Sequence, residues 1–191
     1  MEAFEHLVKV YLETQGYIVT SNVKFPVRRK TKKAKYSEYQ EHGYEVDIVG
    51  GRHDRLLLGS VKSFFGSRGV DRQGFKGLAD LGKRTVFERY TMFNETEVRD
   101  GIMLAASQQY GYPTANIQFC LFVGNFVEGD KQIIIEHLNK ISIGSGPIIV
   151  HDLKTIITGL LKASQSKTYY NDPIIITLKA LKQAGCKLDV P

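Results

Sequence analysis

Residues 44–63 read YEVDIVGGRHDRLLLGSVKS and contain two apolar segments joined by a short polar turn. Val, Ile and Leu dominate both segments, which is typical of buried β-strands, and the stretch between them predicts a hairpin. Charged residues interrupt the apolar pattern, among them Asp47 in the first segment and Lys62 near the end of the second. An ionised side chain in apolar surroundings costs on the order of several kcal/mol unless a partner compensates for it. The two residues therefore indicate a site built into the sheet.

The spacing of the two strands predicts which side chains share a face of the sheet. Alternation places Glu45 and Asp47 on one face of the first strand and the even-numbered residues 44–48 on the other. A hairpin centred near residues 52–53 pairs odd positions of the first strand with even positions of the second. Asp47 is then expected on the same face as Ser60 and Lys62. A bulge at the glycine pair before the turn would shift this register by one residue.

The first fifteen residues predict an amphipathic helix over 2–15, which Gly16 ends. At about 100° per residue, Glu5 falls beside Val8 and Leu12, at the rim of the apolar face. Its carboxylate is expected to point toward the edge of the sheet, although a boundary glutamate can also extend into water.

The remaining sequence alternates between helical and strand patterns, which predicts an α/β protein. The length fits one domain over 1–191, with a core over 1–125 and a C-terminal strand and helices over 126–191. Asn94 is a candidate helix cap. In chain order we predict a β-rich segment 17–27, a loop or hairpin tip 28–43, a loop 66–73, helices in two or three pieces over 74–111, strands 115–124 and 147–152, and helices 130–141, 153–164 and 172–185.

The composition is that of an ordinary globular protein, with 42% hydrophobic and 24% charged residues. No apolar run approaches the ~20 residues that a membrane helix needs. The N-terminal segment carries acids where a secretion signal has a basic end, so a cytoplasmic location without membrane contact is expected. Cys120 and Cys186 lie far apart without metal-ligand spacing, which favours free thiols over a disulfide.

The net charge of +6 favours a polyanionic partner. Residues 28–35 hold six cations in eight positions, and a second basic stretch follows Lys62. A charge run is often only a solvated loop, but two such stretches flank the acidic candidate site, which favours a groove for phosphate groups. The candidate nucleic-acid contacts are Arg28, Arg29, Lys30, Lys32, Lys33, Lys35, Arg68, Arg72 and Lys76.

The chemistry of these residue types suits phosphodiester hydrolysis. Carboxylates such as that of Asp47 hold Mg²⁺ well, and a bound cation polarises a phosphoryl oxygen and lowers the pKa of an attacking water. A nearby lysine can orient that water or stabilise the charge that develops in the transition state.

The order of a helix with a glutamate, a strand with an aspartate and a following strand ending in x-V-K-S resembles the PD-(D/E)XK nuclease superfamily. The resemblance covers residues 1–65 and is closest to the Holliday-junction resolvase and Mrr-type branches. It implies a restriction-endonuclease-like fold with a central mixed β-sheet flanked by helices. It also implies a metal-dependent endonuclease that hydrolyses DNA, duplex or branched, with Mg²⁺ or Mn²⁺ as cofactor, and a possible homodimer. Asp47 would be the central metal ligand, Lys62 the catalytic lysine and Glu5 the helix-borne carboxylate.

One position departs from the superfamily pattern. The usual acid two residues before the lysine is replaced by Ser60, which leaves Asp47, Lys62, Glu5 and Ser60 as the candidate catalytic set. Glu45 is a candidate replacement ligand beside Asp47 and Glu5, and Asp71 and Asp80 are the nearest acids after the lysine. Without a substitute acid, the chain would be a catalytically weak or inactive nucleic-acid-binding module of the same fold. An assembly subunit with no nucleic-acid role is the third interpretation.

Overall fold

The computed structural model describes residues 2–30 and 39–188, which form six helices and seven strands. The helices are α1 (Ala3–Glu13), α2 (Thr91–Asn94), α3 (Thr96–Tyr110), α4 (Asp130–Asn139), α5 (Leu153–Ser164) and α6 (Pro173–Gln183). The strands are β1 (Ile18–Lys30), β2 (Tyr39–Arg52), β3 (Arg55–Lys62), β4 (Ile117–Val123), β5 (Ser142–Ile143), β6 (Gly146–Pro147) and β7 (Ile149–Asp152).

Five of these strands form a mixed sheet in the order β1-β2-β3-β4-β7 within the described ranges. β1, β2 and β3 are antiparallel neighbours, whereas β4 and β7 each run parallel to the strand before them in the sheet. The short β5 and β6 pair only with each other. The predicted α/β class, with a central mixed sheet flanked by helices, is confirmed.

Helices cover both faces of the sheet, so β4 is buried along its whole length. On one face, Phe119 and Leu121 of β4 pack in a cluster with residues of α3 and α4. On the other face, Cys120 and Phe122 pack in a cluster with residues of α1, α5 and α6. Full burial of a Leu or Phe side chain contributes roughly 1.5–3 kcal/mol, so these two clusters supply most of the driving force for the fold.

Two predicted segments differ from the structure. Residues 28–43 were predicted as a loop or hairpin tip. Residues 28–30 and 39–43 are instead paired strand, as parts of β1 and β2, while residues 31–38 lie outside the described ranges. The prediction of helix over 74–111 is wrong for residues 75–86, which form turns and irregular backbone. Gly77 and Gly82 adopt φ of 91° and 80° there, a left-handed conformation that ends helical turns.

The sequence suggested that Asn94 caps a helix, but it does not cap α3. Glu95 occupies the position before that helix. The Asn94 amide donates to the carbonyl oxygens of Gly74 at 2.8 Å and Phe87 at 3.0 Å. Its Oδ1 accepts from the Lys76 N–H at 2.9 Å. Asn94 therefore fastens the irregular segment between β3 and α3 to the helices that follow it.

Both cysteines are free, as predicted, with Cys120 buried and Cys186 exposed. Burial raises the pKa of the Cys120 thiol, which leaves it an unreactive core residue. Among the helices of the described ranges, none combines the length and the apolar character needed to cross a membrane.

Candidate active site

The side-chain alternation of β2 breaks at Asp47. Val46 packs in the cluster that contains α3, whereas Ile48 packs in the cluster that contains α1, although an unbroken strand would place both on one face. β1 breaks at the same level, because Asn22 adopts φ of 56° and its pair with Asp47 is missing from an otherwise continuous register. The prediction that the even-numbered residues 44–48 share a face is therefore wrong. The deformation falls at the residue singled out as a metal ligand.

The register between β2 and β3 is the predicted one, with odd positions of β2 opposite even positions of β3. The ladder runs from the turn as far as Ile48 and Gly59 and stops there. Asp47 and Ser60 occupy the first position beyond the last pair. The two strands thus separate where the candidate residues lie.

The Asp47 side chain takes the place of the missing ladder partner. Its Oδ2 accepts hydrogen bonds from the Val61 N–H at 2.6 Å and the Ser60 hydroxyl at 3.0 Å. The Lys62 ammonium lies 3.4 Å from the same oxygen. Oδ1 accepts no hydrogen bond from any residue that the structure describes. Charge-assisted bonds to a single oxygen fix the orientation of the carboxylate and leave the other oxygen available.

Lys62 is held at the end of β3 by its main chain as well as by Asp47. It pairs with Val123 of the parallel strand β4, and its carbonyl oxygen accepts from the Gly124 N–H at 2.9 Å. The side chains of Lys62 and Asp47 are 22% and 20% exposed. Both charges are thus partly withdrawn from water, which strengthens their interaction relative to an ion pair on the surface.

Glu5 lines the same pocket as Asp47 and Lys62. It is the third residue of α1, and its Oε2 accepts from the Glu2 N–H at 3.1 Å, which completes a capping box at the start of the helix. The pocket has a volume of about 250 Å³, and its wall also includes Glu2, Phe4, Val61, Ser63 and Phe64. The structure thus brings together the three residues that the sequence placed on separate elements.

Two other candidates at this site have different roles. The Ser60 hydroxyl donates to Asp47 rather than facing the pocket as a ligand. The Glu45 carboxylate lies 3.9 Å from the Lys24 ammonium and is not among the described residues that line the pocket. Within 2–30 and 39–188, no group of three His, Cys, Asp or Glu residues is arranged to hold a metal ion. The pocket is therefore lined by three acidic residues, Glu2, Glu5 and Asp47, that are not grouped as a three-ligand metal site.

The acids that follow Lys62 are engaged elsewhere. Asp71 accepts from the Gln73 N–H at 2.9 Å and pairs with Arg68 at 3.3 Å. The Asp80 carboxylate accepts from Lys83 at 2.8 Å and from Arg72 at 3.1 Å, and these contacts, that of Lys83 first, lower its pKa. Neither lines the pocket of Asp47, so neither replaces the acid missing at position 60.

Several of the predicted nucleic-acid contacts are tied into the fold. Arg29 donates to the Tyr44 hydroxyl at 2.6 Å, and Lys76 pairs with Glu95 at 2.5 Å. Arg72, as described above, bonds Asp80, and its main-chain N–H donates to Asp130 at 3.0 Å.

The other predicted contacts lie at the surface or outside the described ranges. Arg68 is 78% exposed, and the guanidinium of Arg28 lies 4.9 Å from the centre of the Tyr39 ring. Lys30, at the end of β1, is exposed, and its N–H donates to Glu97 at 3.3 Å. Lys32, Lys33 and Lys35 fall within residues 31–38, outside the described ranges.

Three residues near the site were not singled out from the sequence. Asn22 carried one weak signal, because asparagine adopts left-handed backbone more readily than other non-glycine residues. Phe64 adopts φ of 47°, a strained conformation for an aromatic residue that no sequence pattern indicates. Arg89 was hidden within a segment predicted as helix.

Comparison with known proteins finds no family model that matches the chain and no curated protein that is similar to it. Among solved structures, a crystal structure of AF1548, described as a protein of unknown function, matches 96% of this chain and 77% of its own at 15% sequence identity. The TM-score is 0.38, and a likeness at this level establishes neither a shared fold nor a shared function.

Proposed function

We propose that this protein is a metal-dependent nuclease of the restriction-endonuclease-like type that hydrolyses phosphodiester bonds in DNA. The observation that carries the proposal is the convergence of Glu5, Asp47 and Lys62 on one pocket, with the Lys62 ammonium 3.4 Å from the Asp47 carboxylate. A carboxylate with one free oxygen, a second carboxylate and a lysine are the groups that metal-assisted phosphoryl transfer uses.

The donor set fits Mg²⁺, which is commonly held by one or two carboxylates with waters and substrate phosphate completing its shell. Asp47 would bind through Oδ1, because Oδ2 already accepts three bonds, and Glu5 would bind directly or through water. When bound, the cation polarises the phosphoryl oxygen and activates water; Mn²⁺ would substitute for it.

The protein side chains supply orientation and positive charge. The Ser60 hydroxyl and the Val61 N–H hold the Asp47 carboxylate in one rotamer. Lys62 projects into the pocket beside it, where its ammonium can hydrogen-bond an attacking water or the phosphoryl oxygen that gains charge. Ser60 is thus a positioning residue in this proposal, and Lys62 is the catalytic one.

A cleavage screen tests this function. The protein is incubated with supercoiled plasmid, linear duplex, a four-way junction, single-stranded DNA and RNA, each with Mg²⁺, Mn²⁺ or EDTA. We expect cleavage of at least one DNA substrate that requires the metal and is lost in Asp47→Asn. Cleavage that persists in EDTA or in the variant contradicts the proposal, as does the absence of cleavage of every substrate.

A second candidate, a non-cleaving nucleic-acid-binding module, is favoured by Ser60 at the position of the usual acid. It is also favoured because no three acidic, histidine or cysteine residues of the described ranges are grouped to hold a metal. Calorimetric titration with Mn²⁺ and DNA binding at several salt concentrations separate the two functions. Salt-sensitive DNA binding without metal binding supports the module. Metal binding that Asp47→Asn removes supports the nuclease.

A further inference from the structure

A second pocket of about 370 Å³ lies against the candidate active site. Phe64 lines both pockets and forms the wall between them. Among the described residues, three arginines and one acid line the second pocket: Arg68, Arg84, Arg89 and Asp71. Three arginines against one acid give the pocket a net positive charge, which favours an anionic ligand.

Two of the arginines have no counter-ion among the residues that the structure describes. Arg68 pairs with Asp71 at 3.3 Å. Arg84 and Arg89 are exposed, and no described residue forms an ion pair or side-chain hydrogen bond with either. The contrast with Arg29 and Arg72, whose guanidinium groups are engaged by tyrosine or aspartate, is marked. Unpaired guanidinium groups offer planar donor forks that match the oxygens of phosphate.

The floor of this pocket is fixed rather than loose. Gly69 packs so closely that an added Cβ would lie 2.6 Å from the carbonyl carbon of Phe126. The Val70 N–H donates to the Asn125 oxygen at 2.9 Å, and the Asn125 amide donates to the Ser67 oxygen at 3.1 Å. These bonds fasten the loop after β3 to the segment after β4. The pocket thus keeps its position relative to Lys62.

The wall residue is itself held in an unusual conformation. Phe64 follows Lys62 by two residues and adopts φ of 47°, while its carbonyl oxygen accepts from the Ser67 N–H at 3.2 Å and the Ser67 hydroxyl at 3.1 Å. Left-handed backbone is strained for an aromatic residue, so the surrounding contacts maintain it. The partly buried Phe64 ring thus lies between the pocket of Asp47 and Lys62 (the catalytic pocket) and the pocket of Arg68, Arg84 and Arg89 (the basic pocket).

We propose that the basic pocket binds one phosphate group of a nucleic-acid strand, with Arg84 and Arg89 as its principal ligands. This phosphate is the neighbour, along the same strand, of the phosphate that occupies the pocket of Asp47 and Lys62. This inference rests on the proposed function, because it assigns the catalytic pocket to phosphate. It makes the substrate a polynucleotide that continues past Phe64, whose ring packs against the sugar or base between the two phosphates. A mononucleotide would fill only one pocket.

The test measures binding without cleavage. All proteins carry Asp47→Asn and are assayed in EDTA, with a fluorescent single-stranded oligonucleotide and its duplex as probes and a deoxynucleoside monophosphate as competitor. The variant Arg84→Ala/Arg89→Ala removes the two free guanidinium groups. The control Lys167→Ala/Lys182→Ala removes the same charge from exposed positions that do not line the pocket.

We expect the arginine variant to bind the oligonucleotide about tenfold or more weakly and to lower the slope of log affinity against log salt by about 1 to 2, since each phosphate contact contributes roughly one unit. The lysine control keeps most of the affinity. Equal affinity and slope in the arginine variant and its parent overturn the inference, and so does a monophosphate that binds through these arginines as tightly as the oligonucleotide.

The outcome is separable from that of the proposed function. If the protein cleaves no substrate yet the arginine variant loses binding, the phosphate subsite stands and the nuclease activity does not. If cleavage depends on Asp47 while both arginine substitutions leave binding unchanged, the nuclease stands and the subsite does not. The variant Arg84→Lys/Arg89→Lys adds a geometric readout, because it keeps the charge and so should restore the salt slope while recovering affinity only in part.

Discussion

The two ends of the β2–β3 hairpin each place an aspartate beside basic side chains, but the two aspartates are bonded differently. At the turn, both oxygens of Asp54 are engaged: Arg52 donates to them at 2.7 and 2.9 Å, and Arg55 adds a bond of 3.3 Å. At the open end, all three donors to Asp47 converge on one oxygen. The first carboxylate is saturated by its own turn, whereas the second keeps an oxygen for another partner.

The two sites also differ in what builds them. The partners of Asp54 lie one or two residues away, so local sequence alone creates that pair. The partners of Asp47 lie 13 to 15 residues away, and the strand ladders on both its sides are interrupted to admit it. Partly buried polar groups that interrupt the regular pattern of a sheet without saturating their own hydrogen bonds are typical of functional positions.

The largest expected effect separates the two aspartates directly. Asp47→Asn should lower the single-turnover cleavage rate about 10³-fold, because the oxygen proposed to hold the metal loses its charge. The amide oxygen can still accept from the Val61 N–H, so the fold should persist. Asp54 lies at the opposite end of the hairpin and does not line the pocket, so Asp54→Asn should cleave at the parental rate. Rapid-quench assays with saturating Mg²⁺ measure the cleavage rates of both variants. If both rates fell equally, the effect would come from the loss of any negative charge in the hairpin and not from the pocket of Asp47.

Two lysines with different partners provide the next contrast. Lys62→Met should lower the cleavage rate about 10²-fold while changing oligonucleotide affinity much less, since its charge is proposed to act mainly in the transition state. Lys76→Met removes a lysine whose ammonium is already paired with Glu95, and it should leave the rate unchanged. The rate and the dissociation constant are measured separately for each variant. A loss of affinity in Lys62→Met that accounts for the whole loss of rate would make Lys62 a binding residue only.

A smaller effect concerns the second carboxylate. Glu5→Gln should weaken Mn²⁺ binding about tenfold or more, as judged by isothermal titration, because it removes one of two acidic ligands. Glutamine preserves the capping box of α1, so the helix should remain intact. Glu13→Gln, at the other end of the same helix, removes an exposed ion pair with Lys9 and should not alter metal binding. Equal metal affinity in Glu5→Gln and the parent would exclude Glu5 from the metal site.

Much of this site could be predicted because β-sheet parity is a strict constraint. Once two neighbouring strands were recognised, odd–even pairing across the turn placed Asp47, Ser60 and Lys62 together, and the structure confirms it. The same argument failed for Val46 and Ile48, because alternation assumes a continuous strand and the strand is deformed at Asp47.

Other features depend on tertiary contacts that no local pattern encodes. Strong amphipathic periodicity allowed the bounds of α5, Leu153–Ser164, to be predicted correctly from the sequence. The segment before α3 was predicted as helix from its local pattern, but its course is set by the hydrogen bonds of Asn94 to residues 7 and 20 positions away. The β5–β6 pair, two residues per strand around a glycine turn, is too short to leave a strand pattern. The basic pocket likewise arises only when separate turns bring Arg68, Arg84 and Arg89 together.

The smallest expected effect returns to the saturated aspartate and concerns stability. The Arg52 hydrogen bonds, ahead of every other contact, hold the pKa of Asp54 well below its usual range. Because the folded-state pKa is lower than the unfolded value of about 3.9, the stabilisation is present above that pH and is lost as the pH falls toward the folded value. Asp54→Asn should therefore lower the melting temperature at pH 7 by roughly 2 °C or less, given its exposed position. The difference between parent and variant should narrow below about pH 4. Thermal unfolding followed by circular dichroism from pH 7 to pH 2 measures this, and a difference that widens in acid would mean that Arg52 and Arg55 do not stabilise the charged turn.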